Sequence, residues 1–402
     1  VKEFAGKKVL ILIENLPVPF DRRMWQQALA LKDKGADVTV ICPKMKGYDK
    51  TYERLEGIDI YRHYIKEAGR KTEYLFEYIT ALFWETVLTL WVFFKKGIDV
   101  IHACNPPDLI FLVALPYKMI GKKFIFDHHD LCPELMEAKY GKKGFFYKLL
   151  RTAEKLTFMS ADISMATNES YKKIAVERGG MKKENVFIVR SGPDIDRMKI
   201  VPPDESCKEG KEYLVGYVGV IGRQEGLRYL IDAIKYIECE KKREDIHFVC
   251  IGSGPDLENV KNYASEKDVD NFITFTGRVS DEDMMRILGS CDVCVNCDEY
   301  NQMNDKSTMN KIMEYMALKK PIVQFDLKEG RFSAGESSLY ARPNDSKDMA
   351  EKIIKLVSDK DRREKMGQLG YERVKNKLSW DHEKPNLYSA YREVFGLMEG
   401  DD

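Results

Sequence analysis

The feature that most restricts how this chain can fold is an alternation of short apolar runs with amphipathic helical stretches, which occurs twice. In the first half the apolar runs are Lys8–Glu14, Asp37–Cys42, Ile58–Tyr64, Val100–Ala103, Lys123–Asp127, Ile163–Ala166 and Val186–Val189. Runs of this length, rich in β-branched residues, read as strands. Between them lie stretches such as Met24, Trp25, Ala28, Leu29 and Leu31, behind a candidate N-cap at Asp21. Strand–helix–strand order implies parallel sheets covered by helices, because a parallel pair needs a long crossover. At Ser191–Lys211 (SGPDIDRMKIVPPDESCKEGK) prolines and charges interrupt the rhythm, which reads as a linker. The alternation restarts with Tyr213–Val218, followed by His247–Ile251, Ile273–Thr276, Val293–Asn296 and Pro321–Phe325.

The expected fold class is therefore α/β, with two Rossmann-like domains over residues 1–195 and 196–379. Their parallel sheets are expected to face an interdomain cleft at their carboxyl ends. The length of 402 residues agrees, being too great for one core at ~150 residues per domain. The 65 basic residues balance 65 acidic ones, so nucleic acid is not expected as a bulk partner. An anionic ligand must then be met by helix N-termini and single Arg or Lys side chains. The opening VKEFAGKKVLILIE reads as a first strand rather than a secretory signal, and nine scattered cysteines fit a reducing, cytoplasmic setting.

Two segments carry competing readings. Cys291, Cys294 and Cys297 have C-x2-C-x2-C spacing, but position 301 is Asn and the segment also reads as a core strand, which is preferred. Tyr74–Phe94 (YLFEYITALFWETVLTLWVFF) has about the length of a bilayer span, but contains Glu77 and Glu85. The preferred reading is a buried or half-buried helix of the first domain. The alternative is an aromatic face resting on a membrane or on a lipid-linked substrate.

Three motifs carry chemistry. YLVGYVGVIGRQEGLRYLIDAI is a strand, a glycine loop and a helix, with Gly216, Gly219, Gly222 and Gly226 allowing a tight turn and an anion at the helix N-terminus. CIGSGPDLENV has Gly252-x-Gly254 but Leu257 where a dinucleotide fingerprint needs its third glycine, so NAD is not expected. In MNDKSTMNKIMEYMALKKPIVQFD, Ser307 or Thr308 can cap a helix on which Lys311 could reach a phosphate as a point charge.

Within the last motif, K-I-M-E-Y-M-A-L-K-K-P-I-V resembles the donor-binding helix of the retaining glycosyltransferase family 4, a family of GT-B fold. The resemblance runs from about Lys8 to Phe395. It implies that Glu314 binds the ribose hydroxyls of a nucleotide-sugar. FTGRVSDEDMMRIL resembles the loop at the nucleobase, which gives Gly277, Arg278 and Val279. FSAGESSLYARPND resembles the segment over the sugar, which gives Ser333, Ala334 and Gly335. DVIHACNPPD and FIFDHHDLCPEL resemble the first-domain strand ends, with His129 in the place of the family's active-site histidine, beside Asp130. His128 and His102 read as structural. The segment 380–402, with Tyr388, Tyr391 and Phe395 at helical spacing, resembles the terminal helix that packs back on the first domain.

The resemblance implies transfer of a sugar from a nucleotide diphosphate donor, UDP-sugar foremost, to a hydroxyl of a carbohydrate or lipid-linked acceptor in envelope polysaccharide or glycolipid synthesis. No cofactor and no metal are expected, with the enzyme in the cytoplasm and peripheral contact with the inner face of the membrane left open. The departures are specific. The family's loop Arg and Lys are Val220 and Glu225 here, so Arg223 with Gly219 and Gly222 is expected to hold the diphosphate. The first Glu of the family's E-x7-E pair is Lys306, which leaves its role to Asp305 or to the backbone at Ser307–Thr308. The N-terminal glycine turn is replaced by Leu16–Arg23, where Arg22 and Arg23 either hold an acceptor phosphate or sit on a solvated face. Two alternatives stay open: a UDP-N-acetylglucosamine 2-epimerase-like enzyme of the same fold, and a catalytically silent sugar-nucleotide-binding scaffold.

Overall fold

The structure, a computed structural model, describes residues 2–65, 73–141 and 143–397, without side-chain detail at 73–75, 139 and 140. The chain divides into two compact units, Val1–Ser191 with Glu383–Asp402, and Gly192–His382.

The first unit runs β1 (Lys8–Leu12), α1 (Arg22–Asp33), β2 (Asp37–Pro43), β3 (Tyr52–Leu55), β4 (Ile58–His63), α2 (Glu73–Lys96), β5 (Val100–Cys104), α3 (Phe111–Met119), β6 (Lys123–His128), α4 (Cys132–Tyr140), α5 (Phe145–Ser160), β7 (Ile163–Ala166), α6 (Glu169–Glu177) and β8 (Val186–Ile188). Its sheet has the order β3-β4-β2-β1-β5-β6-β7-β8. β5 is buried at every residue and β1 from Val9 onward, as expected of central parallel strands covered on both faces.

The antiparallel neighbour of β4, β3, is not legible in the sequence, because YERL has no apolar run. A turn creates it: Glu56 and Gly57 both take positive φ, 52° and 84°, and return the chain as a hairpin. Tyr52 then stacks on Tyr61 with ring centroids 4.9 Å apart and donates to Asp59 at 2.8 Å.

The second unit runs β9 (Tyr213–Val218), α7 (Leu227–Lys235), β10 (Ile246–Ile251), α8 (Leu257–Glu266), β11 (Ile273–Gly277), α9 (Asp281–Ser290), β12 (Val293–Asn296), α10 (Asn310–Ala317), β13 (Ile322–Phe325), α11 (Lys328–Ala334), β14 (Ser338–Ala341), α12 (Ser346–Val357) and α13 (Lys360–Arg373). Its six strands pair in parallel in the order β11-β10-β9-β12-β13-β14. Cys291 and Cys294 pack on one side of this sheet with Leu214, Ile312 and Met316, and Cys297 packs on the other with Tyr217 and Cys250. All nine cysteines are free thiols, and the C-x2-C-x2-C run is core.

The expected linker is not a loose tether. Met198 is buried with Leu214 and Leu288 of the second unit. Asp204 donates its N–H to Ser290 Oγ at 2.8 Å and accepts from Arg286 at 2.7 Å. At the other end, α14 (Trp380–Phe395) belongs to the first unit from Glu383 onward. Phe4 sits there against the rings of Tyr388, Tyr391 and Phe395, with centroids 5.9–6.2 Å away. Residues 398–402 of the expected terminal helix lie outside the described residues.

Helix α2 is half-buried, as expected, with one stripe against the sheet and one exposed. Its inward stripe is Ala81, Glu85, Thr89 and Val92, on the side packed against β1, β2 and β4. Its outward stripe is Phe76, Ile79, Phe83, Val87, Leu90 and Phe94, all exposed, Phe94 to 78%. A carboxyl and a hydroxyl face inward and aromatic rings face outward, the reverse of an ordinary surface helix. Among the described residues, neither carboxyl oxygen of Glu85 has a hydrogen-bond partner. Burial pushes its pKa from the ordinary 4.5 up to about 8. Glu14, just past β1, is pushed up to about 9 by burial and then by the Glu85 and Glu77 charges. Both carboxyls are therefore protonated in the folded chain at neutral pH.

This has a definite sign for stability. The unfolded chain ionises Glu85 near pH 4.5 and the folded chain only near 8, so stability drains away as pH climbs through that window. Glu85→Gln keeps the shape without the ionisation. It is expected to melt above the parent protein at about pH 9, with the gap closing toward about pH 4. Thermal denaturation at both pH values checks this, and an equal gap at both would contradict it.

Candidate functional site

Parallel strands deliver all their carboxyl ends to one edge of a sheet, and in the second unit this edge collects the glycine motifs. The loops after β9, β10 and β11 stack by backbone hydrogen bonds. Gly219 N–H donates to Ile251 O at 3.0 Å, Ile221 N–H to Ser253 O at 3.0 Å, and Gly252 N–H to Gly277 O at 2.9 Å. A Cβ at Gly252 would lie 1.9 Å from Gly219 O, and one at Gly254 would lie 2.4 Å from Ile221 O. The Gly252-x-Gly254 pair thus exists so that neighbouring loops can touch, a reason separate from dinucleotide binding. Gly222 precedes a 3₁₀ turn, Arg223–Glu225, which holds Arg223 exposed on the loop.

Helix α10 is tied to this loop through Lys311. Its ammonium lies 2.9 Å from Asp298 Oδ1 and 3.1 Å from Glu225 Oε2, and it donates to Tyr217 OH at 3.3 Å. Burial works against the charge, but the Asp298 and Glu225 carboxylates outweigh it and raise the Lys311 pKa. Burial pushes the Asp298 carboxyl up, and the Lys311 ammonium works against that shift. The expected point charge for a phosphate is therefore corrected: the three N–H bonds of Lys311 are spent inside the protein, and the residue anchors the loop. Glu225, which stands where the family has its loop Lys, is the loop's half of that anchor. Tyr315, one turn along, accepts from Val218 N–H at 2.9 Å and donates to Val295 O at 3.2 Å.

The remaining second-unit residues are placed as follows. Glu314 is half-buried on α10, with Oε1 3.7 Å from Arg197, which also donates to Asp281 at 2.6 Å. Arg197 thereby links α10 to the start of α9, just past the Gly277–Arg278–Val279 turn. Arg278 is exposed and Val279 half-buried. Asp305 accepts from Lys328 N–H at 2.9 Å and so closes the start of α11. The expected cap is corrected too: the N-cap of α10 is Met309, without a side-chain bond, and Ser307 instead donates to Met303 O at 2.8 Å. Thr308 is half-buried beside it. Ser333 and Ala334 are buried in the core rather than offered to a ligand. Four Asp-x-Asp triplets begin at Asp194, Asp268, Asp281 and Asp359. The first makes a turn, with Asp194 accepting from Asp196 N–H at 2.9 Å, and in the third Asp283 accepts from the cap hydroxyl of Ser280 at 2.8 Å.

In the first unit the carboxyl ends of β1, β5 and β6 build a second cluster around Asp127, which is fully buried. Arg23 grips it with Nε at 3.1 Å and Nη2 at 2.8 Å, while its Nη1 donates to Val189 O at 2.8 Å and Ser191 Oγ at 3.1 Å. Gln27 donates to Asp127 at 2.9 Å, and His102 Nε2 lies 3.5 Å away. Burial would raise the Asp127 pKa, but Arg23 and the flanking imidazoles outweigh it and hold it well below the usual carboxylate range. Arg23 is thus corrected from an acceptor-phosphate candidate to a buried structural cation, while Arg22 is exposed at the first turn of α1.

His129 Nδ1 sits 3.7 Å from Asp127 Oδ1. Burial lowers the His129 pKa, but the Asp127 carboxylate overcomes that and leaves it raised. Asn105 fixes the turn, its Oδ1 accepting from the N–H groups of His129 and Asp130 at 3.0 and 3.1 Å. Asp130 is half-buried beside them. His128 is enclosed among Phe126, Phe158 and Tyr171, with Nε2 3.3 Å from Glu154. Asp127 was not singled out from the sequence, although positions two apart along a strand share a face, so Asp127 and His129 belong together by spacing alone.

A family model described as Glycosyltransferase Family 4 matches residues 21–197, and one described as Glycosyl transferases group 1 matches residues 212–359. The capsular polysaccharide biosynthesis glycosyltransferase CapM of Staphylococcus aureus is 27% identical over 275 residues, covering 64% of this chain and 68% of CapM. Sucrose-phosphate synthase of Thermosynechococcus elongatus has a similar structure at TM-score 0.77 and 17% identity, covering 98% of this chain and 100% of that one. The Anabaena protein HepE, solved with UDP-glucose, gives TM-score 0.71 at 14% identity, covering 96% and 99%.

The Asp127 hub makes a paired prediction. Asp127→Asn removes the charge that raises His129, so the imidazole pKa is expected to fall, as read by NMR titration. It also strands the buried Arg23 guanidinium, which costs about 3–5 kcal/mol in denaturant unfolding. An unchanged His129 titration would show that the pair is not coupled.

Proposed function

This chain belongs to the family 4 glycosyltransferases of the GT-B fold, and we propose that it moves a sugar from a UDP-sugar to a hydroxyl of a carbohydrate or lipid-linked acceptor. In this reading the anomeric configuration is retained, and the product is a surface polysaccharide or glycolipid assembled at the inner face of the cytoplasmic membrane. The observation that carries it is the carboxyl edge of the second unit's sheet. There the glycine loop with Arg223, the Gly277 turn and the α10 residue Glu314 are held together by Lys311, Arg197 and the stacked loop backbones. The UDP-glucose bound to HepE supports the choice of nucleotide, and the capsular role of CapM supports the product class.

The proposed chemistry follows from these groups. Arg223, the loop N–H groups and the N-terminus of α10 meet the diphosphate, and Glu314 takes the ribose hydroxyls. The acceptor oxygen bonds to the anomeric carbon as the bond from that carbon to the phosphate oxygen breaks. The acceptor proton passes to that phosphate oxygen, giving glycoside and UDP. A carboxylate nucleophile of the glycosidase kind is then unnecessary. His129, whose pKa the Asp127 carboxylate raises, serves the acceptor side as a hydrogen-bond donor. The inward-turned Lys311 favours a second reading, a subunit that binds the donor without turning it over.

The direct test is transfer of labelled sugar from a UDP-sugar panel to a lipid-linked acceptor extract. Product with a retained anomeric centre is expected, and UDP binding without product would select the second reading. Transfer is expected to persist in EDTA, and a loss reversed by Mn²⁺ or Mg²⁺ would refute the metal-free reading. Glu314→Ala should weaken UDP binding roughly ten- to a hundredfold by calorimetry, since charge-assisted hydrogen bonds are worth about 1.5–3 kcal/mol each. Its melting temperature should hold, because Ala suits a helix better than Glu. Glu314→Gln separates charge from shape, and unchanged affinity in both variants would remove Glu314 from the site.

A further inference from the structure

We propose that α2, α3 and α5 of the first unit form one docking face that lies flat on an anionic lipid bilayer. This extends the lipid-linked-acceptor reading to a defined surface, and it is tested without turnover so that either can fail alone.

The face is made of three apolar stripes. On α2 it is the outward stripe from Phe76 to Phe94, flanked by exposed Trp84 and Trp91. On α3 it is Leu112, Leu115 and Met119, followed by Ile120. On α5 it is Phe145, Phe146, Leu149, Leu156 and Met159. Helix α3 packs against both α2 and α5, so the stripes adjoin. Among the described residues, every exposed large apolar side chain except Tyr52, Tyr64, Ile200, Val220, Tyr300 and Phe332 lies on or just beyond these three helices. A concentration of this kind marks an interaction surface, whereas isolated exposed apolar residues do not.

Charge identifies the partner. On the same helices Lys95, Lys148 and Lys155 are exposed and Arg151 is half-buried. The carboxyls run the other way: Glu85 and Glu154 are fully buried and Glu77 is half-buried. Among the described residues of these helices the fully exposed charges are all cations, and apolar stripes with such an edge complement acidic lipid headgroups over a hydrocarbon surface. A second copy of the same face would bring like charges together. Spanning is excluded by the inward stripe, because Glu85 and Thr89 are packed on the sheet of a folded unit. The edge of the face also has interfacial chemistry: Trp91 carries Lys95 over its ring at 4.2 Å and packs on Tyr61 with centroids 4.9 Å apart.

The test uses the full chain with vesicles of phosphatidylglycerol and phosphatidylcholine, against phosphatidylcholine alone, separated by flotation. The chain should float with the anionic vesicles, less so at high salt, and Trp84 and Trp91 should shift the emission to the blue. The double variant Phe83→Glu with Phe94→Glu, and separately Lys148→Glu with Lys155→Glu, should each lose about tenfold or more in vesicle partitioning. All four side chains are exposed, so melting temperature and UDP binding should not change. The proposal is overturned if the parent chain stays in the aqueous fraction, or if both variants float as it does. It is equally overturned if the parent is a stable dimer that the Phe83→Glu, Phe94→Glu variant splits without vesicles, which would assign the face to a second copy.

Discussion

A parallel β-pair cannot be closed by a tight turn, so its strands are joined by crossovers and all leave the sheet at the same edge. The rest of this structure depends on that constraint. In the first unit it brings Arg22, Asn105 and His129 to one edge from segments far apart in sequence. In the second it does the same for the glycine loop, Gly277 and Asp298. The glycines then matter for a secondary reason. Loops leaving adjacent strands must stack closely, and a side chain at Gly252 would collide with Gly219 O.

Each edge is fixed by one buried charge cluster, Asp127 with Arg23 in the first unit and Lys311 with Glu225 and Asp298 in the second. Burying such groups costs several kcal/mol of desolvation per ion, which their attraction only roughly offsets. Their contribution is therefore positional more than stabilising. Asp127 raises the His129 pKa and locks α1 to the sheet, and Lys311 locks α10 to the glycine loop. In the proposed reading Arg223, Glu314, His129 and Asp130 face the ligands, and the buried charges stand behind them.

Much of this was legible in the sequence. Ile163–Ala166, Tyr213–Val218 and Val293–Asn296 were read to the residue, because strands buried on both faces write themselves as unbroken apolar runs. β3 was not, since its pairing comes from a positive-φ turn at Glu56–Gly57 and not from any apolar pattern. The direction in which a polar side chain points was also hidden. Nothing in the local sequence separates Arg22, which is exposed, from Arg23, which is buried against a carboxylate 104 positions away. Lys311 was misread for the same reason, because its partners Glu225 and Asp298 arrive from other loops. The sequence leaves open which face of α2 turns inward, because amphipathicity gives the period of a helix but not which face is turned to water. Here the stripe with Glu85 and Thr89 faces in.

That the second unit's sheet edge is built for a sugar nucleotide can be tested before any acceptor is known. A ligand bound only by the folded state raises stability by mass action, about 2.7 kcal/mol at a hundredfold excess over Kd. Thermal melts of the full chain with saturating UDP-, GDP-, ADP- and TDP-sugars are the most direct measurement. A clear rise with UDP-sugars, larger than with the other nucleotides, is the expected result. No shift with any of the four would contradict the assignment of this edge as the donor site.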